Sequence, residues 1–202
     1  MSISQQSLIL ASTSQYRREI LAKLTLPFIQ VQPDFDEIPI PGEAPVSMAE
    51  RFAAGKALAV ASDSLYSASE NLVIGSDQVV VVNNQILGKP GNLERARAQL
   101  LLCSDQWVTY TSAFCIACGG AILVLEHDDY AVKFRPLSGA EIDRYLALEQ
   151  PYDCAGSIKA EGLGIALMAE TRGQDVNTLY GLPLMRLAQR LREHQIDPLK
   201  QL

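Results

Sequence analysis

The sequence is short of the groups that most often carry chemistry or cross a membrane. Only two histidines occur, and both stand in polar stretches, His127 before Asp128-Asp129 and His194 after Arg192-Glu193. A histidine-based mechanism is therefore not expected. No apolar run reaches the roughly 18–20 residues of a membrane span. Met1-Ser2-Ile3-Ser4-Gln5-Gln6 has neither the basic nor the apolar segment of an export leader, so a cytoplasmic location is expected. Neither G-x-S-x-G nor G-x-x-x-x-G-K-[ST] is present, which argues against a serine hydrolase and a P-loop enzyme. The four cysteines include one pair, Cys115-x-x-Cys118, without a second pair or nearby histidines. A zinc site is not expected there; in the apolar stretch Ala113–Cys118 these cysteines read as small buried hydrophobes. Positive charge is also scarce, with 17 Lys and Arg against 23 Asp and Glu and a net charge of -6. Such a surface does not suit nucleic acid, so an anionic ligand must be met by cations gathered locally.

What is present is an ordinary folding chain of 202 residues with 48% hydrophobic content, enough for one domain spanning residues 1–202. Leu8–Ala11 reads as a buried first strand, and Ser14 as the N-cap of a helix from about Gln15 to Leu24. Arg17 falls on the apolar stripe of that helix with Ile20, Leu21 and Leu24. Pro33–Pro39 is an acidic loop, and a helix follows over 46–61 with Lys56 inside its apolar stripe. Leu72–Val82 reads as a long central strand, turned at Asn83-Asn84 into a returning strand over 85–90. That hairpin would bring Lys89 back to within about one residue of Asp77. A helix over 93–102 is expected next, then strands near 108–118, 121–126 and 130–135. Ser138-Gly-Ala-Glu141 is a capping box opening a helix to about Glu149. Residues 153–162 read as loop, 164–168 as strand, and Pro183 as the first turn of a last helix with Leu184, Leu187, Ala188 and Leu191 inward. Helices alternate with strands and hairpins, so a mixed α/β fold is expected, its twisted sheet flanked by helices.

Three groups of charges stand where folding does not require them. The first is the Ser12-Thr13-Ser14 turn with Arg17 and Arg18. Backbone N–H groups at a helix start, together with guanidinium forks, suit phosphate oxygens. The second is Asp77 within an apolar strand, with Asp36 and Glu37 within possible reach; a carboxylate there must be paired or bind a metal. Either Asp77 forms a plain ion pair with Lys89, or these carboxylates and a polyphosphate make a hard-oxygen site for Mg²⁺ or Mn²⁺. The third is Lys56 and Lys89, which either snorkel to solvent or neutralise charge on a leaving diphosphate. Together the groups provide metal ligands, base and cations, the needs of phosphoryl transfer to water.

Leu8-Ile-Leu-Ala-Ser-Thr-Ser-x-x-Arg-Arg18, Asp36-Glu37, Gly75-Ser-Asp-Gln78, Gly88-Lys-Pro90, Ala155-Gly-Ser-Ile-Lys-Ala-Glu-Gly162 and Asp175-x-Asn-Thr-x-x-Gly-Leu-Pro183 resemble, in this order, the motifs of the Maf family. The resemblance implies a nucleoside triphosphate pyrophosphatase with an inosine-triphosphatase-like fold and a substrate cleft between two lobes. It implies dependence on a divalent cation and a possible homodimer. By position, Asp77 would be the base or a metal ligand and Glu37 a metal ligand, while Ser12, Arg17, Arg18, Lys56 and Lys89 would hold phosphates. One branch of the family prefers dTTP and UTP and another 7-methyl-GTP; some members are linked to inhibition of septum formation, which leaves a nucleotide-binding regulator as a further reading. The positions that mark the split are Tyr16, Gln78 and Glu161. An aromatic face and a carboxylate favour the positive charge of N7-methylguanine, and Tyr16 and Glu161 can supply them. The dTTP branch usually has Gln where Glu161 stands and Thr where Gln78 stands, so both of these positions point to the 7-methyl-GTP branch. Relatives there often carry Trp where Tyr16 stands.

Overall fold

The computed structural model describes residues 7–200. Residues 1–6, on which the reading of no export leader rests, lie outside the described residues. In chain order the elements are β1 (Ser7–Ala11), α1 (Gln15–Ala22), β2 (Phe28–Val31), α2 (Pro45–Ala61), β3 (Asn71–Val82), β4 (Gln85–Leu87) and α3 (Leu93–Cys103). Then come β5 (Trp107–Cys118), β6 (Ala121–Phe134), α4 (Gly139–Glu149), β7 (Met168–Arg172), α5 (Val176–Leu179) and α6 (Leu184–Glu193).

One seven-stranded mixed sheet runs in the order β2-β1-β3-β5-β6-β7, with β4 added to β3. β2, β1 and β3 are parallel, whereas β4, β5, β6 and β7 join antiparallel. The edge of β3 is shared. β1 pairs Ser7–Ala11 with Asn71–Gly75, and β4 takes up the same strand only from Val80 to Val82. Ser76 to Val79 therefore lie between two neighbours, with no strand beside them on that side among the described residues. A polar triplet in an otherwise apolar strand falls at the place where the sheet opens.

The core falls into three parts. One lies under α2 with Ile9, Val73, Val79 and Ala113; a second lies on the opposite face under α1 and α6 with Leu10, Ile74 and Phe114. The third surrounds the far halves of β3 and β5 with α3 and α4, and includes Val80, Val82, Val108 and Tyr110. β3 crosses from the first two into the third at residues 76–80. This division matches the two lobes expected on either side of a cleft.

Most elements form where periodicity and capping place them. Ser14 accepts from Arg17 N at 3.3 Å, and both halves of the Ser138–Glu141 capping box are made. Three expectations are corrected. β6 is a single strand, not two, because His127, Asp128 and Asp129 keep their ladder partners on β5, and Asp129 accepts from Thr111 Oγ1 at 2.6 Å. Residues 164–168 are not a strand: Leu163–Leu167 form a tight 3₁₀ turn, and the strand begins at Met168, pairing the end of β6 with an exposed Met-Ala-Glu-Thr-Arg edge. Helix α1 stops at Ala22, two residues early. The two cysteines of Cys115-x-x-Cys118 belong to opposite faces of β5, Cys115 in the core under α2 and Cys118 against the other, as a spacing of three in a strand requires.

Candidate active site

Gly75 decides how close α2 comes to β3. A Cβ there would lie 2.2 Å from Ala53 O and 2.6 Å from Ala57 N, so only glycine lets the helix rest on the strand. Lys56, on the turn between those two contacts, is carried down to Asp77. Its Nζ lies 2.6 Å from Asp77 Oδ1, and the lysine is buried. Lysine in an apolar helical stripe thus does not snorkel to solvent here. It has a partner waiting.

A second glycine brings in the acidic loop. The ring of Phe35 lies where a side chain on Gly55 would be, 2.2 Å from its built Cβ position, and packs edge-on against Phe52 at 6.0 Å. With Phe35 held on α2, Glu37 follows two residues later, its Oε1 2.5 Å from the same Lys56 Nζ. Asp36 faces solvent. One buried ammonium therefore joins two carboxylates from different segments. Burial works against the charge on Glu37, but Lys56, with Arg17 and Lys89 behind it, outweighs burial and holds its carboxyl below the usual carboxylate range.

Arg17 closes the cluster from the other side. Its Nη2 is 3.8 Å from Asp77 Oδ1, and its Nε donates to Gly181 O at 3.1 Å. Ser76 Oγ donates to the same carbonyl at 2.9 Å. The Ser12–Ser14 turn is braced from within: Ser12 Oγ accepts from Ser14 N at 3.1 Å, and Gln30 Nε2 donates to Ser12 O at 2.7 Å. The start of α1 thus sits beside the open stretch of β3.

Two cations stand outside this cluster of ion pairs. Among the described residues Lys89 makes no ion pair with Asp77. β4 ends at Leu87, and the exposed Lys89 acts at longer range on Glu37. Arg18 is exposed and lines a cleft of about 360 Å³ with Pro27, Phe28 and Gln30. Arg17, not Arg18, meets the carboxylates.

Of the three positions expected to set specificity, Tyr16 lies within the field of Glu161 and Gln78 does not join them. Tyr16 Oη lies 3.8 Å from Cys154 Sγ. Burial, Cys154, Glu161 and Asp153 together push the Tyr16 phenol pKa upward, and burial with Asp153 lifts the Cys154 thiol to about 11; both stay protonated near neutrality. Burial first, with the charge of Glu161 adding to it, also raises the phenols of Tyr180 and Tyr145. Gln78 is elsewhere. It faces away from Asp77, as strand alternation requires, and its Nε2 donates to Ser112 Oγ, Thr178 O and Leu179 O at 3.0, 2.9 and 3.1 Å. It holds the segment leading to Gly181. Sequence reasoning missed Cys154, Tyr180 and Gly181; the glycine in Thr-Leu-Tyr-Gly-Leu, with φ 102°, was the available sign of a special backbone position.

Comparison with known proteins adds to this geometry. A family model described as Maf-like protein matches residues 7–194. A protein of Bordetella pertussis named 7-methyl-GTP pyrophosphatase is 47% identical over 194 residues, 95% of this chain and 94% of that one. One of the same name from Pseudomonas syringae pv. tomato is 49% identical over 187 residues, 92% and 95% of the two chains. Among solved structures, the Staphylococcus aureus Ham1 protein aligns over 94% of this chain and 99% of its own with a TM-score of 0.50 and 14% identity, a likeness of fold.

Proposed function

This chain belongs to the Maf family, and from that premise we propose that it hydrolyses 7-methyl-GTP to 7-methyl-GMP and diphosphate. The observation that carries the reading is the division of α1's first turn: Arg17 reaches Asp77, while its neighbour Tyr16 turns to Cys154 and the field of Glu161. Phosphate-gripping and base-reading groups leave the helix start in two directions. A nucleotide has the same two ends.

In this reading the triphosphate lies against the N–H groups of the Ser12–Ser14 turn, with Arg17, Lys56 and Lys89 as counter-charges. Arg18, at its cleft, supports that grip only from the margin. Water attacks the α-phosphorus, the bond to the bridging oxygen breaks, and diphosphate leaves toward the cations. Asp77 takes the water's proton. Two hard carboxylates converge on one ammonium; they supply part of the hard-oxygen set that a divalent cation such as Mg²⁺ or Mn²⁺ takes, and the rest would come from the substrate. Glu37 and Asp77 would hold that ion with phosphate oxygens, and it would supply charge neutralisation on the phosphates. At the other end, the positive charge of N7-methylguanine favours a carboxylate and an aromatic ring, which Glu161 and Tyr16 provide. Diphosphate release from a nucleotide panel, with and without added Mg²⁺ or Mn²⁺, tests the reading. 7-Methyl-GTP should lead GTP, dTTP and UTP, and Glu161→Gln should narrow that lead by about tenfold, the scale of one lost charge-assisted contact. Faster hydrolysis of dTTP or UTP would replace it with a pyrimidine nucleotide pyrophosphatase.

A further inference from the structure

Glu161 is exposed, and its position is set by its backbone, which is fastened from behind. The segment 159–164 closes on itself, with Gly162 N and Gly164 N both donating to Lys159 O at 3.1 Å. Each end is then tied to the last turn of α4. Lys159 N donates to Tyr145 Oη at 2.9 Å, and Lys159 Nζ donates to Glu149 O at 2.7 Å. At the far end Leu163 N donates to Glu149 Oε1 at 2.7 Å. Gly162 makes room for this carboxylate, since a Cβ there would lie 2.9 Å from Glu149 Oε1. Glu161 is the middle of the clamped turn.

Glu149 is also badly placed for helix stability. It is the last residue of α4, where the negative end of the helix dipole disfavours a carboxylate. Its side chain is largely covered, 21% exposed. What the carboxylate does there is hold the Leu163 N–H, with the Lys159 ammonium 3.9 Å from its other oxygen. We infer that Glu149 is a positioning residue for base recognition, acting through the 159–163 turn to hold Glu161 toward the base. The inference rests on the reading that Glu161 recognises a cationic base.

The experiment measures kcat/KM for 7-methyl-GTP and for UTP in the wild type, Glu161→Gln, Glu149→Ala and Glu149→Gln, with amide hydrogen exchange on each. Losing the clamp should lower the 7-methyl-GTP to UTP ratio about tenfold in Glu149→Ala, the scale of a displaced contact. UTP turnover should stay within about twofold, and exchange should rise over 159–163 alone. Glu149→Gln keeps an acceptor oxygen and should recover part of the ratio. A ratio that falls in Glu161→Gln but not in Glu149→Ala overturns the inference and leaves the base reading intact. A parallel fall for both substrates, or exchange rising across α4, makes Glu149 merely structural and also overturns it. An unchanged ratio in Glu161→Gln removes the base reading, and the role of Glu149 with it.

Discussion

The two ends of the site are built on different principles. At the phosphate end, Asp77, Lys56, Glu37 and Arg17 are joined by three ion pairs, the four residues coming from four separate segments, with α2 brought in by resting on Gly75. At the base end, Tyr16 and Glu161 are joined to the fold by neutral or backbone contacts: a thiol at 3.8 Å and a turn clamped to α4. Removing one member of a buried ion cluster leaves another charge uncompensated, which is far more costly than losing a surface contact. On the proposed reading the phosphate end is therefore intolerant of change and blind to the base, and recognition of the base falls to Tyr16 and to the clamped turn that carries Glu161.

The largest expected break in this comparison is Asp77→Asn. With the proton acceptor gone, kcat should fall about 10²–10⁴-fold, and by the same factor for 7-methyl-GTP, GTP and UTP in steady-state assays. A loss that depended on the base would mean the two ends are not separate. Next is Lys56→Met, which leaves Asp77 and Glu37 facing each other without their shared cation. Unfolding in urea should show a loss of about 3–5 kcal/mol, the usual cost of orphaning a buried charge. A loss below 1 kcal/mol would mean the cluster is solvated. Glu161→Gln belongs below both: it should alter which nucleotide is preferred while leaving the urea midpoint within error, as expected for an exposed side chain.

The sequence made the frame of the phosphate end readable because its elements are local. β1, the Ser14 cap, the stripe of α2 and the apolar length of β3 follow from period and capping. The partner of Asp77 was not local. The hairpin points to Lys89, since its register is fixed by a two-residue turn, whereas Lys56 arrives through the packing of a helix 21 positions earlier. Gly75 and Gly55 were the visible signs of that packing, glycines inside a strand and a helix where they are otherwise unfavourable. The base end was legible only as residue types. Tyr16 and Glu161 are 145 positions apart, and their approach depends on the 159–164 turn, whose apolar Gly-Ile-Ala-Leu-Met continuation resembles a strand. Its strand propensity lost to the closure of the turn on Lys159 O and to β6, whose free edge is met only from Met168. Gln78 shows the same limit: its neighbours Ser112 and Thr178 come from distant segments, and nothing near it in the chain says that its amide is already committed.

The smallest expected effect separates the ends by pH. The folded Glu37 carboxyl lies below the usual carboxylate range, whereas in the unfolded chain it returns to the ordinary value. A group depressed on folding stabilises the fold above its unfolded pKa, and that stabilisation disappears as pH falls through the folded value. Since the Glu37 side chain is 51% exposed, solvent screens the contact and the effect is small. Comparing the wild type with Glu37→Gln in urea titrations, the gap in stability should be present at pH 7 and close as the solution is acidified below pH 4. If the gap did not close on acidification, Glu37 would not be bound to Lys56 more tightly than an ordinary surface carboxylate, and the sharp difference between an ion-paired phosphate end and a loop-held base end would be lost.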